Sequence, residues 1–208
     1  MSDKGAKTVA ELFGQPPLAE SGAERLIAAG IELFSRHGFQ TVGLDRVIEH
    51  AGVTKTTFYK HFESKDELVL ACVRSRDAWE MAAWDRAVRT LGGDDPRARL
   101  LAFFDVLDTW FNDPEFRGCL FINVAGEFAD PRDPIHRAAA EHKRKTRDVF
   151  RDLARAAGAA DPDLCADEFT ILMEGTLVLR QVHGRNDAAR VARAAVERLL
   201  ERHLPART

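Results

Sequence analysis

Cysteine is scarce in this chain. Cys72, Cys119 and Cys165 are the whole set, odd in number and far apart. They match neither a disulfide framework nor a Cys-x-x-Cys zinc spacing, and they suit a reducing cytoplasm. Excess charge is also missing. Thirty basic residues face 33 acidic ones, for a net charge of -3, so nothing global attracts nucleic acid and any such affinity needs a local basic face. No apolar run reaches membrane-spanning length. The first 20 residues lack the apolar stretch of a signal peptide, so the expectation is a cytoplasmic protein with no membrane partner. Strand-like alternation and internal repeats are absent as well. Enzyme signatures are missing too: no nucleophile elbow, no phosphate-cradling glycine loop, no cofactor fingerprint. The reading is therefore a non-enzyme without a cofactor.

What is present is helical punctuation in a chain of 208 residues. Residues 1–20 carry Pro16-Pro17 and weak periodicity, and read as a flexible arm. Ser21-Gly22-Ala23-Glu24 is a capping box, followed by Leu26, Ile27, Ile31 and Phe34 at helical spacing and by Gly38 as a stop. A short helix spans about Gly43 to His50, Ala51-Gly52-Val53 is a turn, and Thr54 to Phe62 is the next helix. Ser64-Lys65-Asp66-Glu67 opens a long helix to about Leu91. Asp95-Pro96, Asp133-Pro134 and Asp161-Pro162 each open another, since proline suits the first helical position. Gly118 to Phe128 and Asn186 to His203 complete the set. The prediction is an all-α chain of about nine helices. Residues 21–67 would form a three-helix domain, and 68–204 a larger helical bundle.

The helices on either side of Gly52 have the proportions of a helix-turn-helix. In the second of them Phe58 and Phe62 face inward. At about 100° per residue, Thr56 and Lys60 lie opposite Phe58, flanked by Thr57 and Tyr59, with Lys55 in the first turn. A small, polar, basic face with one phenol fits a major groove. A solvated helix would look similar on spacing alone, so a helical interaction module remains open at this point, as does a small helical enzyme.

The stretch Ala51 to Leu68, AGVTKTTFYKHFESKDEL, closely resembles the TetR family of bacterial repressors, as does the upstream Ala28-Ala29, Leu33-Phe34 and His37-Gly38-Phe39. The resemblance covers about residues 24–70. It implies a three-helix DNA-binding domain followed by a ligand-binding and dimerising helical domain, and a repressor released from operator DNA by a small-molecule effector. It implies DNA contacts at Lys55, Thr56, Thr57, Tyr59, Lys60, His61 and Lys65. The chain departs from the family at Gly43, where relatives often carry Ser or Thr; Thr41 is the nearest hydroxyl. Asp45 stands where some relatives read a base. It either accepts from a cytosine or pairs with Arg46 or Lys60.

The resemblance also implies a homodimer, with the last two helices of each copy paired across a two-fold axis. Leu172, Gly175, Leu179, Val182, Val191, Ala195 and Leu199 are the candidate seam. The effector pocket is expected in the larger domain, lined by Trp79, Trp84, Phe104 and Trp110 together with the polar Cys119, Asn123, Glu127, His142 and Glu174. The carboxylates among these either orient a ligand or pair with Arg147 or Arg180 as structure. A metal set drawn from Cys119, Glu127, His136 and His142 lacks ligand spacing, so none is expected.

Overall fold

The computed structural model describes residues 7–204. They form ten α-helices and, among the described residues, no strand. In chain order these are α1 (Val9–Phe13), α2 (Gly22–His37), α3 (Leu44–His50), α4 (Lys55–His61), α5 (Lys65–Gly92), α6 (Pro96–Phe111), α7 (Leu120–Glu127), α8 (Pro134–Ala156), α9 (Pro162–His183) and α10 (Ala188–His203). No helix is long and apolar enough to cross a membrane, among the described residues.

The helices fall into two compact units, and neither is contiguous in sequence. One takes Pro16–Glu80 and Arg117–Lys143. The other takes residues 7–15, Met81–Phe116 and residues 144–204. Helices α5 and α8 each contribute to both units.

In the first unit, the Ser21 hydroxyl accepts from Glu24 N–H at 3.2 Å and the Glu24 carboxylate accepts from Ser21 N–H at 2.8 Å. This reciprocal cap satisfies donors that the first turn of α2 leaves open. Leu26, Leu33 and Phe34 bury one face of α2, which packs on α3 and α4. Gly30 permits close approach to α5, because a Cβ there would sit 2.7 Å from Cys72 Sγ. Gly38 ends α2 at φ 86°, a conformation that costs any residue with a Cβ. Phe39 then stacks on Phe34 with centroids 5.2 Å apart and meets the edge of Phe128 at 6.1 Å.

In the second unit, Asp95 and Asp161 cap α6 and α9, each followed by proline. Phe103, Phe150 and Phe169 interlock with centroids 4.4 to 6.2 Å apart, and α10 packs along α6 and α9. Arg147 of α8 bonds Asp163 and Asp167 of α9, both at 2.7 Å.

One expectation fails here. Within the expected arm of residues 1–20, residues 9–13 are helical, and residues 1–6 lie outside the described residues. Thr8 and Glu11 form a capping box, Leu12 and Phe13 are buried, and Phe13 meets Trp84 edge-on at 5.1 Å. Arg86 donates to the Phe13 carbonyl at 3.0 Å. Five residues cannot hold a helix by local propensity alone. The two buried side chains do it, and the flanking prolines and glycines hide that from the sequence.

Candidate nucleic-acid interface

Helix α4 is set by what lies behind it. Phe58 is 0 % exposed and Phe62 is buried beside it, at 5.8 Å between centroids. Val47, Ile48 and Ala51 bury their side of α3 and the turn. Thr54 caps α4, its hydroxyl accepting from Thr57 N–H at 3.1 Å. With Phe58 fixed inward, Lys55, Thr56, Tyr59, Lys60 and His61 are left exposed. Tyr59 is 62 % exposed, its ring braced edge-on against Phe58 at 5.1 Å. A rigid phenol on a short helix, between two lysines, is suited to a phosphate backbone and groove wall.

Not every expected contact shares that face. Thr57 is half-buried. Its methyl lies against the start of α2, where a Cβ on Gly22 would come within 2.8 Å of it, and the His61 ring is 4.0 Å from the same point. Lys65 stands at the N-terminus of α5 with its ammonium 6.0 Å above the Phe34 ring. Thr41 is exposed in the link to α3. Gly43 is the N-cap of α3 and supplies no side-chain bond. Asp45 pairs with Lys55, at 2.8 Å between Oδ1 and Nζ, and not with Arg46 or Lys60. Arg46 instead meets His37 at 3.0 Å. The Asp45 hydrogen bond, with its charge, holds the Lys55 ammonium above the ordinary lysine range.

The residues expected to touch an effector do not gather in one unit. Trp79, Cys119, Asn123, Glu127 and His142 lie in the unit that carries α4, and Trp84, Phe104, Trp110 and Glu174 in the other. In the first, the His142 ring lies flat on Phe121, 3.5 Å between centroids, with Nδ1 2.8 Å from Asp77 Oδ1. Burial pushes the His142 pKa down, against the pull of Glu80 and Asp77. Cys119 is the N-cap of α7, and its sulfur accepts from Lys143 Nζ at 3.5 Å. The Arg76 guanidinium covers the Trp79 ring at 4.6 Å. Asn123 is half-buried on α7. Glu127 pairs with neither Arg147 nor Arg180. Its carboxylate accepts from Phe39 N–H at 3.0 Å and Gln40 N–H at 2.7 Å.

In the other unit Trp84 stacks on Phe103 at 5.6 Å, and Trp110 meets Trp84 edge-on at 6.2 Å. Phe104 is fully buried against Phe169, at 5.2 Å, which makes it a core residue. Glu174 is half-buried on α9. Arg180 donates to the Phe111 carbonyl at 2.8 Å and covers the Phe116 ring. Among the described residues no group of three or more His, Cys, Asp or Glu is placed to hold a metal ion. His136 bonds the Phe128 carbonyl through Nδ1 at 2.7 Å.

The outer face of α9 is apolar and exposed. Ile171 is 71 % exposed and Val182 70 %, with Gly175, Val178 and Leu179 exposed beside them and Val191 exposed on α10. Leu172, Ala195 and Leu199 are half-buried. Ile171, Gly175, Val178 and Val182 are spaced by four, three and four, the repeat of a helix-pairing stripe. Leu172 was expected on this stripe, whereas Ile171 and Val178 were not. Their shared spacing was the available signal.

Residues 26–72, which run from the first turns of α2 into α5, match the bacterial regulatory proteins of the tetR family, and residues 96–196 match the tetracyclin repressor-like C-terminal domain. A transcriptional regulator of Cereibacter sphaeroides, AcuR, is 31 % identical over 82 % of this chain and 81 % of its own length. The chain belongs to the TetR family of bacterial regulatory proteins. It is similar in structure to a putative TetR-type regulator of Streptomyces avermitilis, with TM-score 0.77 and 30 % identity over 88 % of this chain and 98 % of that one. A TetR-family regulator of Streptomyces coelicolor matches with TM-score 0.80 and 28 % identity, over 88 % and 97 %. This TetR-family chain is accordingly a DNA-binding transcriptional regulator of all-helical fold, and its family is a regulatory one.

Proposed function

We propose that the chain is a homodimeric repressor that leaves its operator when a small-molecule effector binds. The observation that carries the DNA reading is the exposed row Lys55, Thr56, Tyr59 and Lys60, held outward by the buried Phe58. Two copies related by a two-fold axis would present two such helices to half-sites about one helical turn apart. The exposed apolar stripe on α9 supports that pairing, because a lone chain would leave it in water. Effector release requires that the ligand bind the DNA-incompetent form more tightly than the competent one. The His142, Asp77, Phe121 and Lys143 cluster is the better-built candidate for effector recognition, since it brings a buried imidazole and ring together with half-buried Asp77 and Lys143.

The test is an electrophoretic shift with duplex DNA from the chain's own promoter region. Lys55→Ala combined with Tyr59→Ala is expected to abolish the shift while leaving the circular dichroism spectrum unchanged, because both side chains are exposed. Undiminished binding by the double variant would sink the reading.

A further inference from the structure

The link between α2 and α3 is held from outside the three-helix domain. Gly38, at φ 86°, turns the chain so that the next two amides, Phe39 and Gln40, both point at the Glu127 carboxylate, at 3.0 and 2.7 Å. The fit is close: a Cβ on Gly38 would lie 3.2 Å from Glu127 Oε1. Amides bonded to an ionised carboxylate are stronger than neutral pairs. Phe39 is buried between Phe34 and Phe128, the residue after Glu127, so a charge and a ring from the end of α7 grip the same two residues. Shortly beyond them the chain reaches the Gly43 cap, and then α3 with Asp45.

The other end of α7 is also gripped. Phe121 lies flat against His142 of α8, and His142 bonds Asp77 of α5. About 9 Å of helix separates Phe121 from Glu127, at 1.5 Å per residue. A rigid rod this short, fixed at both ends, moves as a piece. A displacement of Phe121 would then be passed to the carboxylate that holds Phe39 and Gln40.

We propose that Glu127 is a positioning residue that couples α7 to the helix-turn-helix by clamping the Phe39 and Gln40 amides. The proposal rests on the DNA-binding reading of α3 and α4. Glu127 acts through the backbone and not by touching effector or DNA. Coupling is reciprocal. If α7 sets the entry to α3, then DNA held by α4 must steady α7, and this can be measured without knowing the effector.

The experiment is amide hydrogen exchange on the full-length chain, with and without a duplex selected from a random pool for binding to the wild-type chain. In the wild type, duplex is expected to slow exchange in residues 55–61 and also in 120–128, the latter by about fivefold or more. Glu127→Gln replaces one acceptor oxygen with a donor that opposes an N–H. This variant is expected to keep the slowing over 55–61 and lose it over 120–128. Glu127→Asp, with the charge retained on a shorter stem, is expected to restore part of it. If E127Q loses its helical circular dichroism signal, E127D against wild type carries the comparison, with a reduced effect over 120–128 expected. Two results overturn the proposal: no slowing over 120–128 in the wild type, or equal slowing in the wild type and in the folded variant. A wild-type chain that retains no duplex, with no change over 55–61, removes the DNA-binding reading itself. That outcome is distinct from protection confined to α4.

Discussion

The Lys55 ammonium lies 2.8 Å from the Asp45 carboxylate, which joins the first turn of α4 to the first turn of α3. One cation of the proposed DNA face is therefore already engaged in the free chain. Replacing Asp45 with Asn removes a negative charge from the proposed DNA face and would free Lys55 to engage a phosphate. Affinity for duplex is expected to rise. The plot of log affinity against log salt is expected to steepen by about 0.9 for each additional phosphate neutralised. Fluorescence anisotropy between about 50 and 200 mM salt measures both. An unchanged slope would mean that Lys55 leaves Asp45 for DNA in the wild type.

Gly43 caps α3 with an extended backbone, φ -72° and ψ 151°, and with nothing within 4 Å of where a Cβ would stand. A serine fits there without strain and supplies the missing acceptor for the first turn of α3. Gly43→Ser is expected to add a few tenths of a kcal/mol of stability, read as a small rise in thermal midpoint. It is also expected to tighten duplex binding through a hydroxyl beside the backbone phosphates. Weaker binding would show that the bare amide, open to phosphate, is the better group at this position.

Ile171 and Val182 are the most exposed large apolar side chains of the α9 stripe. Converting both to Glu places charges on the proposed two-fold seam without disturbing the core behind it. Sedimentation equilibrium is expected to change from a dimer to the 23.2 kDa chain, with helical content retained and duplex binding lost. A dimer that persists at micromolar concentration would place the seam elsewhere.

The His142 pKa is pushed down by burial. In the unfolded chain it returns to about 6.5. Between the two values the unfolded chain holds more protons, so this group's contribution to stability is full above about pH 6.5 and falls as pH drops through the folded value. Asp77 and Glu80 oppose the shift and Lys143 adds to it. His142→Gln is expected to flatten the fall in urea midpoint between neutral and mildly acidic pH. A slope equal to that of the wild type would assign the acid sensitivity to other groups.

Most helices were legible because their ends are written locally. Ser21 with Glu24, and the Asp-Pro pairs at 95, 133 and 161, mark starts to within a residue or two. Helix α1 was not legible, because its Thr8–Glu11 box sits among prolines and glycines and its stability comes from burial of Phe13 against Trp84. The α4 face could be read because Phe58 fixes its phase. Asp45 could be recognised as a partner for a cation but not for which one, since Lys55 is brought near only by the turn. The role of Glu127 was hidden for a stronger reason: its partners are backbone amides 87 and 88 positions earlier. No side-chain pattern announces a backbone partner. On α9 the choice between Leu172 and Ile171 turned on helix phase, which depends on where α10 and α6 cover it.

The interleaving of the two units bears on how the protein is made. A ribosome that has released residue 80 has supplied α2, α3 and α4, but not Phe128 or Glu127, which belong to the same unit. Sixty-three more residues must follow before Lys143 completes it, roughly 3–13 s at the usual pace of synthesis. During that interval the nascent DNA reader lacks the ring and the carboxylate that hold its entry turn. A fragment cut after α4, or a graft of residues 21–67 onto another protein, inherits the same gap. A transplant that keeps the compact unit whole has to carry α7 with the motif.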